Sequence, residues 1–271
     1  MSAKPLISVL MPVLRPHAVY FPEAVRSLLE QSYQDWELVI VEDPSPETAE
    51  ELLRKFPDSR IRYHCNPART SFAEQLNLGL AQARGELVAR LDADDVCEPN
   101  RLEAQVEYLQ RHAEIAVLGS QLTIIDHAGR VVGWRRYPVE HAAVMAGMRR
   151  FNPLAHPSVM FRTDLVRQAG GYLPYPGTED YELWARLARQ GAGLGNHPEP
   201  LLRYRIHPTA WKATRLQEMM RGTLELKKRY WADSMNLGDR LRVWLERGLL
   251  RLPPSWVYKL FTWTQYQRRR P

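Results

Sequence analysis

The sequence predicts an α/β fold: a doubly wound, mostly parallel sheet with a smaller antiparallel part and a C-terminal helical extension. Three observations carry this expectation. Strand-length apolar runs alternate with amphipathic helical segments four times before residue 112, the rhythm of βαβ units. After residue 115 the runs lengthen and are joined by short turns, as antiparallel strands are. The last stretch sets apolar residues at helical spacing among many arginines.

Leu6 to Met11 reads as a buried strand stopped by Pro12. Phe21-Pro22-Glu23 opens a helix with Val25, Leu28 and Leu29 on one face, ending near Tyr33. Glu37 to Val41 is a second buried strand, closed by Glu42-Asp43 and the turn Pro44-Ser45-Pro46. Ala49, Leu52, Leu53 and Phe56 mark the next helix, Ile61 to His64 a short strand, and Phe72 to Ala83 a helix facing inward through Leu76 and Leu80. A strand from Leu87 and a helix from Arg101 to about His112 complete the alternating part. Ile115–Ile125 and Gly129–Tyr137 are expected to pair through the turn Asp126–Gly129. Ser158–Phe161 is a strand; Thr163 caps a short helix that stops at Gly170-Gly171. Glu179-Asp180 opens a helix with Leu183, Trp184 and Leu187 inward, and Leu201–Ile206 is the last strand. Trp134–Arg150 and Leu173–Thr178 show no periodicity that places them.

With 271 residues, 45% of them hydrophobic, the chain can bury a core without disulfide staples. Cys65 and Cys97 lack metal-site spacing and read as free thiols in a reducing compartment. No cleavable apolar leader follows Met1, and no apolar run approaches the roughly 20 residues that cross a bilayer. The expectation is a cytoplasmic protein, soluble or peripheral on the inner face of the membrane. The net charge of +6 is unevenly spread. Residues 201–271 hold 16 Lys and Arg against 5 Asp and Glu, whereas residues 1–200 hold 21 against 26. An acidic body thus carries a basic tail, and five of the eight tryptophans (211, 231, 244, 256 and 263) lie in that tail.

The chemistry-bearing feature is the end of the apolar run Leu87-Val88-Ala89-Arg90-Leu91, which leads straight into Asp92-Ala93-Asp94-Asp95. Carboxylates at i and i+2 of an extended segment point the same way, so Asp92 and Asp94 can converge. Hard oxygen ligands suit Mg²⁺ or Mn²⁺, and the carboxyl end of a buried strand is where open α/β sheets bind ligands. A solvated turn capping the next helix is the plain alternative. Glu42-Asp43 end another strand, so both acidic clusters should face one crevice.

Seven segments in order resemble the inverting nucleotide-sugar glycosyltransferases of family 2, which have the GT-A fold. They are Ile7–Val13, Glu37–Asp43, Gly85–Asp95, Pro99–Glu103, Gly170–Tyr172, Glu179–Trp184 and Tyr204–His207. The resemblance implies a catalytic domain over residues 1–210, with a nucleotide-sugar-binding half to about residue 100 and an acceptor half from 101. It further implies that Pro12 and Val13 lie along the nucleotide and that Asp43 hydrogen-bonds the base. Asp94 would bind Mn²⁺ or Mg²⁺, with Asp92 on the ribose or the ion, Asp95 beside them and His207 as a further metal or diphosphate contact. Asp180 would be the base on the acceptor hydroxyl, with Glu179 next to it. The implied donor is a nucleoside-diphosphate sugar, a UDP-sugar first. The acceptor would be a glycan or lipid-linked hydroxyl in surface polysaccharide, lipopolysaccharide or glycolipid synthesis. His156 matches a family-like segment and either touches substrate or packs.

The chain departs from the family pattern in two places. Glu42 and Pro44 flank Asp43 where relatives carry a second Asp and then Gly, which stiffens the turn. Asn66–Ser71 replaces an Asn-x-Gly turn and brings Arg69, which either reaches the diphosphate or is solvated.

Residues 211–271 fall outside the resemblance. Leu237, Leu241, Trp244, Leu245 and Leu249 share one helical face; Trp256, Val257, Leu260 and Phe261 form a second, followed by Arg268-Arg269-Arg270. Such faces either lie on an anionic membrane or pack on the body or a second subunit. No groove-reading motif appears, so nucleic acid is not an expected partner. Two other functions compete. A sugar-nucleotidyltransferase would need a glycine-rich loop after the first strand, and Met11–Pro16 has no glycine. A catalytically silent membrane scaffold would have no use for intact Asp92, Asp94 and Asp180.

Overall fold

A computed structural model of the chain describes residues 7–206 and 216–250. His207, Trp211 and the second apolar face with the terminal arginines lie outside the described residues. One curled sheet of nine strands organises the molecule, in the order β3-β2-β1-β4-β8-β6-β9-β5, with β7 paired to β6. The strands are β1 (Ile7–Val13), β2 (Trp36–Glu42), β3 (Ile61–Cys65), β4 (Leu87–Arg90), β5 (Val96–Cys97), β6 (Ile115–Ile125), β7 (Val131–Arg135), β8 (Met160–Arg162) and β9 (Gly193–Arg205). The helices are α1 (Tyr20–Leu29), α2 (Ala49–Leu53), α3 (Phe72–Gln82), α4 (Arg101–Arg111), α5 (His141–Met148), α6 (Thr163–Gln168), α7 (Glu179–Arg189), α8 (Leu216–Trp231) and α9 (Leu237–Leu249).

The first four strands pair in parallel, as the alternation required. β8 runs antiparallel between β4 and β6, and β7 closes back on β6 through a turn in which Gly129 takes a φ of 76°. Two core layers flank the sheet. One gathers β1, β2, α1 and α4; the other gathers α3, α7 and α8 around Trp184.

Several elements differ from expectation: β5 is an unforeseen two-residue strand, β7 and β8 start two residues late, and four others depart further. β1 runs through Pro12 to Val13. Leu10 accepts from the Leu91 N–H on the β4 side, and Val13 accepts from the Asp43 N–H on the β2 side. Alternate residues point opposite ways, so Pro12 faces the β4 side just where β4 ends, and its missing N–H costs no ladder bond. α1 stops at Leu29, a turn short of Tyr33. β9 begins at Gly193 rather than Leu201, because Gly193–His197 already pair with Ile115–Ser120 and the strand loops out Pro198 and Glu199 before resuming at Pro200. α5 falls in the unplaced Trp134–Arg150 segment and buries Val144 and Met148.

The C-terminal extension begins inside the fold. α8 places Leu226 and Trp231 in the core cluster of Trp184 and Tyr181. The Tyr230 hydroxyl donates to Glu182 of α7 at 2.5 Å, and Arg229 donates to the Tyr175 hydroxyl at 2.7 Å. At Gly222 the two helices meet so closely that an added Cβ would lie 2.7 Å from the Thr178 hydroxyl. Leu226→Ala should therefore cost about 2–5 kcal/mol, the usual penalty for emptying a fully buried leucine site. Urea unfolding reads it directly, and an unchanged midpoint would show that α8 carries no core.

Candidate active site

β1, β2 and β4 end on one edge of the sheet, and the crossover direction reverses between β1 and β4. At this switch point Pro12 and Val13 are buried. Gln75 of α3 donates its amide to the carbonyls of Val13 (2.8 Å) and Val41 (3.2 Å), tying the two strand ends together. The Asp43 carboxylate accepts from the Asn66 amide at 2.7 Å, the Thr70 hydroxyl at 2.9 Å and the Thr70 N–H at 2.9 Å. The turn Asn66–Ser71 thus wraps around Asp43 and leaves Arg69 exposed on the rim beside it. Glu42 faces the other way. It accepts from the Tyr63 hydroxyl at 2.6 Å and from the Ala49 N–H at 3.0 and 3.1 Å, which caps α2. Burial raises its pKa above the ordinary carboxylate value.

Asp92, Asp94 and Asp95 each bring one carboxylate oxygen within 4.8 Å of the others. Buried arginines hold this turn from two sides. The Arg90 guanidinium donates to Asp92 and lies 5.5 Å from the Phe72 ring centre. Beneath it, Arg101 of α4 donates to the Arg90 carbonyl at 2.7 Å. Arg205, the last residue of β9, donates its N–H to Asp95 at 2.9 Å and its Nε to the Asp94 carbonyl at 2.8 Å. Its guanidinium also reaches Glu23 at 2.6 Å and stacks 4.4 Å over Tyr20. Three oxygen donors on a rigid turn fit a small, hard divalent cation.

The third group lies on α7. Asp180 is partly exposed in its first turn, and Asn152 donates to its Oδ2 at 2.7 Å. Glu179 is enclosed. Burial foremost, and the Asp180 charge beside it, push its pKa up to about 7. The Tyr172 hydroxyl shares a 3.0 Å hydrogen bond with His156 Nε2. Burial foremost raises the pKa of its phenol, and the charges of Arg90, Asp180 and Glu179 all act on it. Phe72 and Trp184 pack edge-on against His156, with ring centres 6.1 and 6.2 Å away.

The glycosyl transferase family 2 model matches residues 8–160, more than half of the chain. The chain belongs to that family. It is 30% identical over 216 residues to a glycosyltransferase of Haemophilus influenzae, covering 75% of this chain and 66% of that protein. It is 32% identical over 208 residues to the O-antigen biosynthesis glycosyltransferase WbnJ of Escherichia coli, covering 74% and 80%. Among solved structures it resembles the mannosyltransferase PcManGT of Pyrobaculum calidifontis, in complex with GDP-Man and Mn²⁺. There the TM-score is 0.65 at 17% identity, over 94% of this chain and 72% of that one. The UDP complex of residues 1–349 of S. aureus TarS gives a TM-score of 0.63 at 18% identity, over 88% and 69%. The chain spans 42% of the longer TarS chain. These likenesses show the GT-A fold.

For this glycosyltransferase, the residues singled out in the sequence divide plainly. Pro12, Val13 and Asp43 sit together at the switch point beside the turn of Asp92, Asp94 and Asp95, and Arg69 is at their rim. Glu42, expected to face the crevice as part of the nucleotide-binding set with Asp43, is instead turned to Tyr63 and Ala49, where its carboxylate caps α2. Glu179 and Asp180 open α7 as expected. His156 packs against Tyr172, and His207 lies outside the described residues. Sequence reasoning passed over Arg90, Arg205, Gln75, Asn152 and Tyr172. A charged residue inside an otherwise apolar strand was the available signal for Arg90.

Glu179 makes stability depend on pH. Its folded pKa exceeds the unfolded one, so the native state binds the extra proton between about pH 4.5 and 7. The charged form therefore costs stability above about pH 7, and that cost vanishes below about pH 4.5. Glu179→Gln should be more stable than the parent at pH 8, by up to about 3 kcal/mol, with the gap closing towards pH 5. Thermal unfolding of both proteins across this range checks it; a constant gap would mean that Glu179 ionises normally.

Proposed function

We propose that the protein transfers a sugar from a nucleoside-diphosphate sugar, a UDP-sugar first, to a hydroxyl of a glycan or lipid-linked acceptor, inverting the anomeric centre. One observation carries the reading: three convergent carboxylates sit at the switch point, where open α/β sheets take their ligands. WbnJ's role in O-antigen synthesis and the nucleotides held by PcManGT and TarS support the substrate classes.

In this reading Asp43, at the mouth of β2, accepts from the base, while Pro12 and Val13 line the nucleotide and Arg69 lies near the diphosphate. Asp94, with Asp92 and Asp95, would hold Mn²⁺ or Mg²⁺. A bound cation there offsets the charge that builds on the departing nucleoside diphosphate. Arg90 keeps Asp92 turned towards that site. Asp180 takes the proton from the acceptor hydroxyl as its oxygen attacks the anomeric carbon and the bond to the diphosphate breaks. Asn152 at one carboxylate oxygen and the Tyr181 N–H at the other, 2.8 Å away, restrict the rotation of Asp180. Attack opposite the leaving group in one displacement inverts the configuration.

Asp94→Ala should abolish transfer while leaving the melting temperature nearly unchanged, and chelation of the parent protein should do the same. Retained turnover by Asp94→Ala in chelator would remove the metal assignment. Asp180→Asn keeps the shape and an oxygen that can accept from the Tyr181 N–H, but cannot accept a proton. It should lower kcat by roughly 10²- to 10⁴-fold with little change in donor affinity. Turnover within a few-fold of the parent would pass the role of base to another residue, Glu179 first.

A further inference from the structure

Both carboxylates of α9 turn towards the body of the protein. Asp239 is buried, forms a reciprocal cap with Asn236 and lies 3.2 Å from Arg150. Glu246, on the same side of the helix, pairs with the buried Lys227 of α8 at 2.6 Å and with Arg242 at 3.0 Å. The opposite side carries Leu237, Leu241, Trp244 and Leu245, exposed by 85, 57, 68 and 54%. At helical spacing Arg240 and Arg247 border this stripe on one side and Arg242 on the other, all three exposed. The outward charge of α9 is thus wholly positive around an apolar centre.

We propose that this face docks on an anionic lipid surface, with α9 lying in the plane of the interface. Apolar residues and tryptophan enter the boundary between headgroups and acyl chains while flanking arginines meet lipid phosphates. Among the described residues no helix is long and apolar enough to cross a membrane. Charge complementarity favours lipid over a second copy of the chain, because pairing two such faces would bring arginine against arginine. The helix is also rigidly placed, since ion pairs to Arg150 and Lys227 fix it on the body. Arg150 stands two residues from Asn152, so the docked face and Asp180 belong to the same end of the molecule. Resting on the glycosyl-transfer reading, this geometry suits an acceptor hydroxyl presented from a lipid anchor; the docking itself does not depend on that reading.

The test uses the full chain with vesicles of phosphatidylcholine, with and without phosphatidylglycerol, compared by co-sedimentation. The parent should bind the anionic vesicles at low salt and release as salt screens the arginines beyond about 8 Å. Leu241→Ser/Trp244→Ser should bind at least about tenfold more weakly, with unchanged circular dichroism and unchanged donor turnover on a soluble acceptor. Arg240→Glu/Arg247→Glu keeps the stripe and should lose the preference for phosphatidylglycerol, which covers the case of a misfolded first variant. Binding by the serine variant equal to the parent's would assign the contact to residues beyond 250 and overturn the proposal. So would a parent that ignores the vesicles, or one that is a dimer until the serines make it a monomer. If the parent turns over no donor, the enzymatic reading fails while the vesicle result stands.

Discussion

Three carboxylates gathered within 4.8 Å put like charges close together, and the rest of the site is arranged around that crowding. The acidic turn is tolerable because positive charge reaches it from inside the protein. Arg90 comes up from the strand that delivers the turn, and Arg205 comes across from the last strand of the sheet. Both are buried, so each would itself be costly without the acids and carbonyls it meets. The two halves of the chain are thereby made interdependent: an acid cluster delivered by β4 is held by a residue some 110 positions later.

The helix that carries Asp180 is supported in a similar way from outside the residues matched by the family model. α8 lies along α7, with Tyr230 on Glu182 and Gly222 against Thr178, the residue that precedes the helix. Asp180 is meanwhile oriented by Asn152, just beyond α5. The segments that steady Asp180 are thus ones whose sequence carries few ionisable groups at the site. The switch-point end is fixed instead by the parallel strands β1, β2 and β4.

Much of this was legible beforehand. The βαβ rhythm and the parallel order follow from apolar runs such as Glu37–Val41 and Leu87–Leu91, whose burial on both faces leaves no other use for them. The acidic turn could be recognised because it ends such a run. The role of Glu42 was not legible, since adjacent residues on a strand point to opposite faces and only the position of Ala49 shows which face is the crevice. Nor could Arg90 or Asn152 be assigned, because their partners are brought by tertiary packing. β9 was misjudged at Pro198 and Pro200, which look like breakers but fall at an interruption in its pairing with β6. The tail was read as an appendage because its charge differs so sharply from the body's, yet net charge says nothing of Leu226 and Trp231, which α8 turns into the core.

Pro12 carries one more implication. In the parallel register of β1 and β4, the bond after the Leu91 N–H to the Leu10 carbonyl would come from residue 12 to the Leu91 carbonyl. Proline has no hydrogen to give. The zipper between the two strands is therefore denied its next tooth at the point where the chain peels away as Asp92–Asp95. A residue with an N–H there would invite β4 to continue along β1 and flatten the turn into the sheet. An imino acid whose side chain performs no chemistry thus marks where the seam between the strands parts, and the three carboxylates project from that parting.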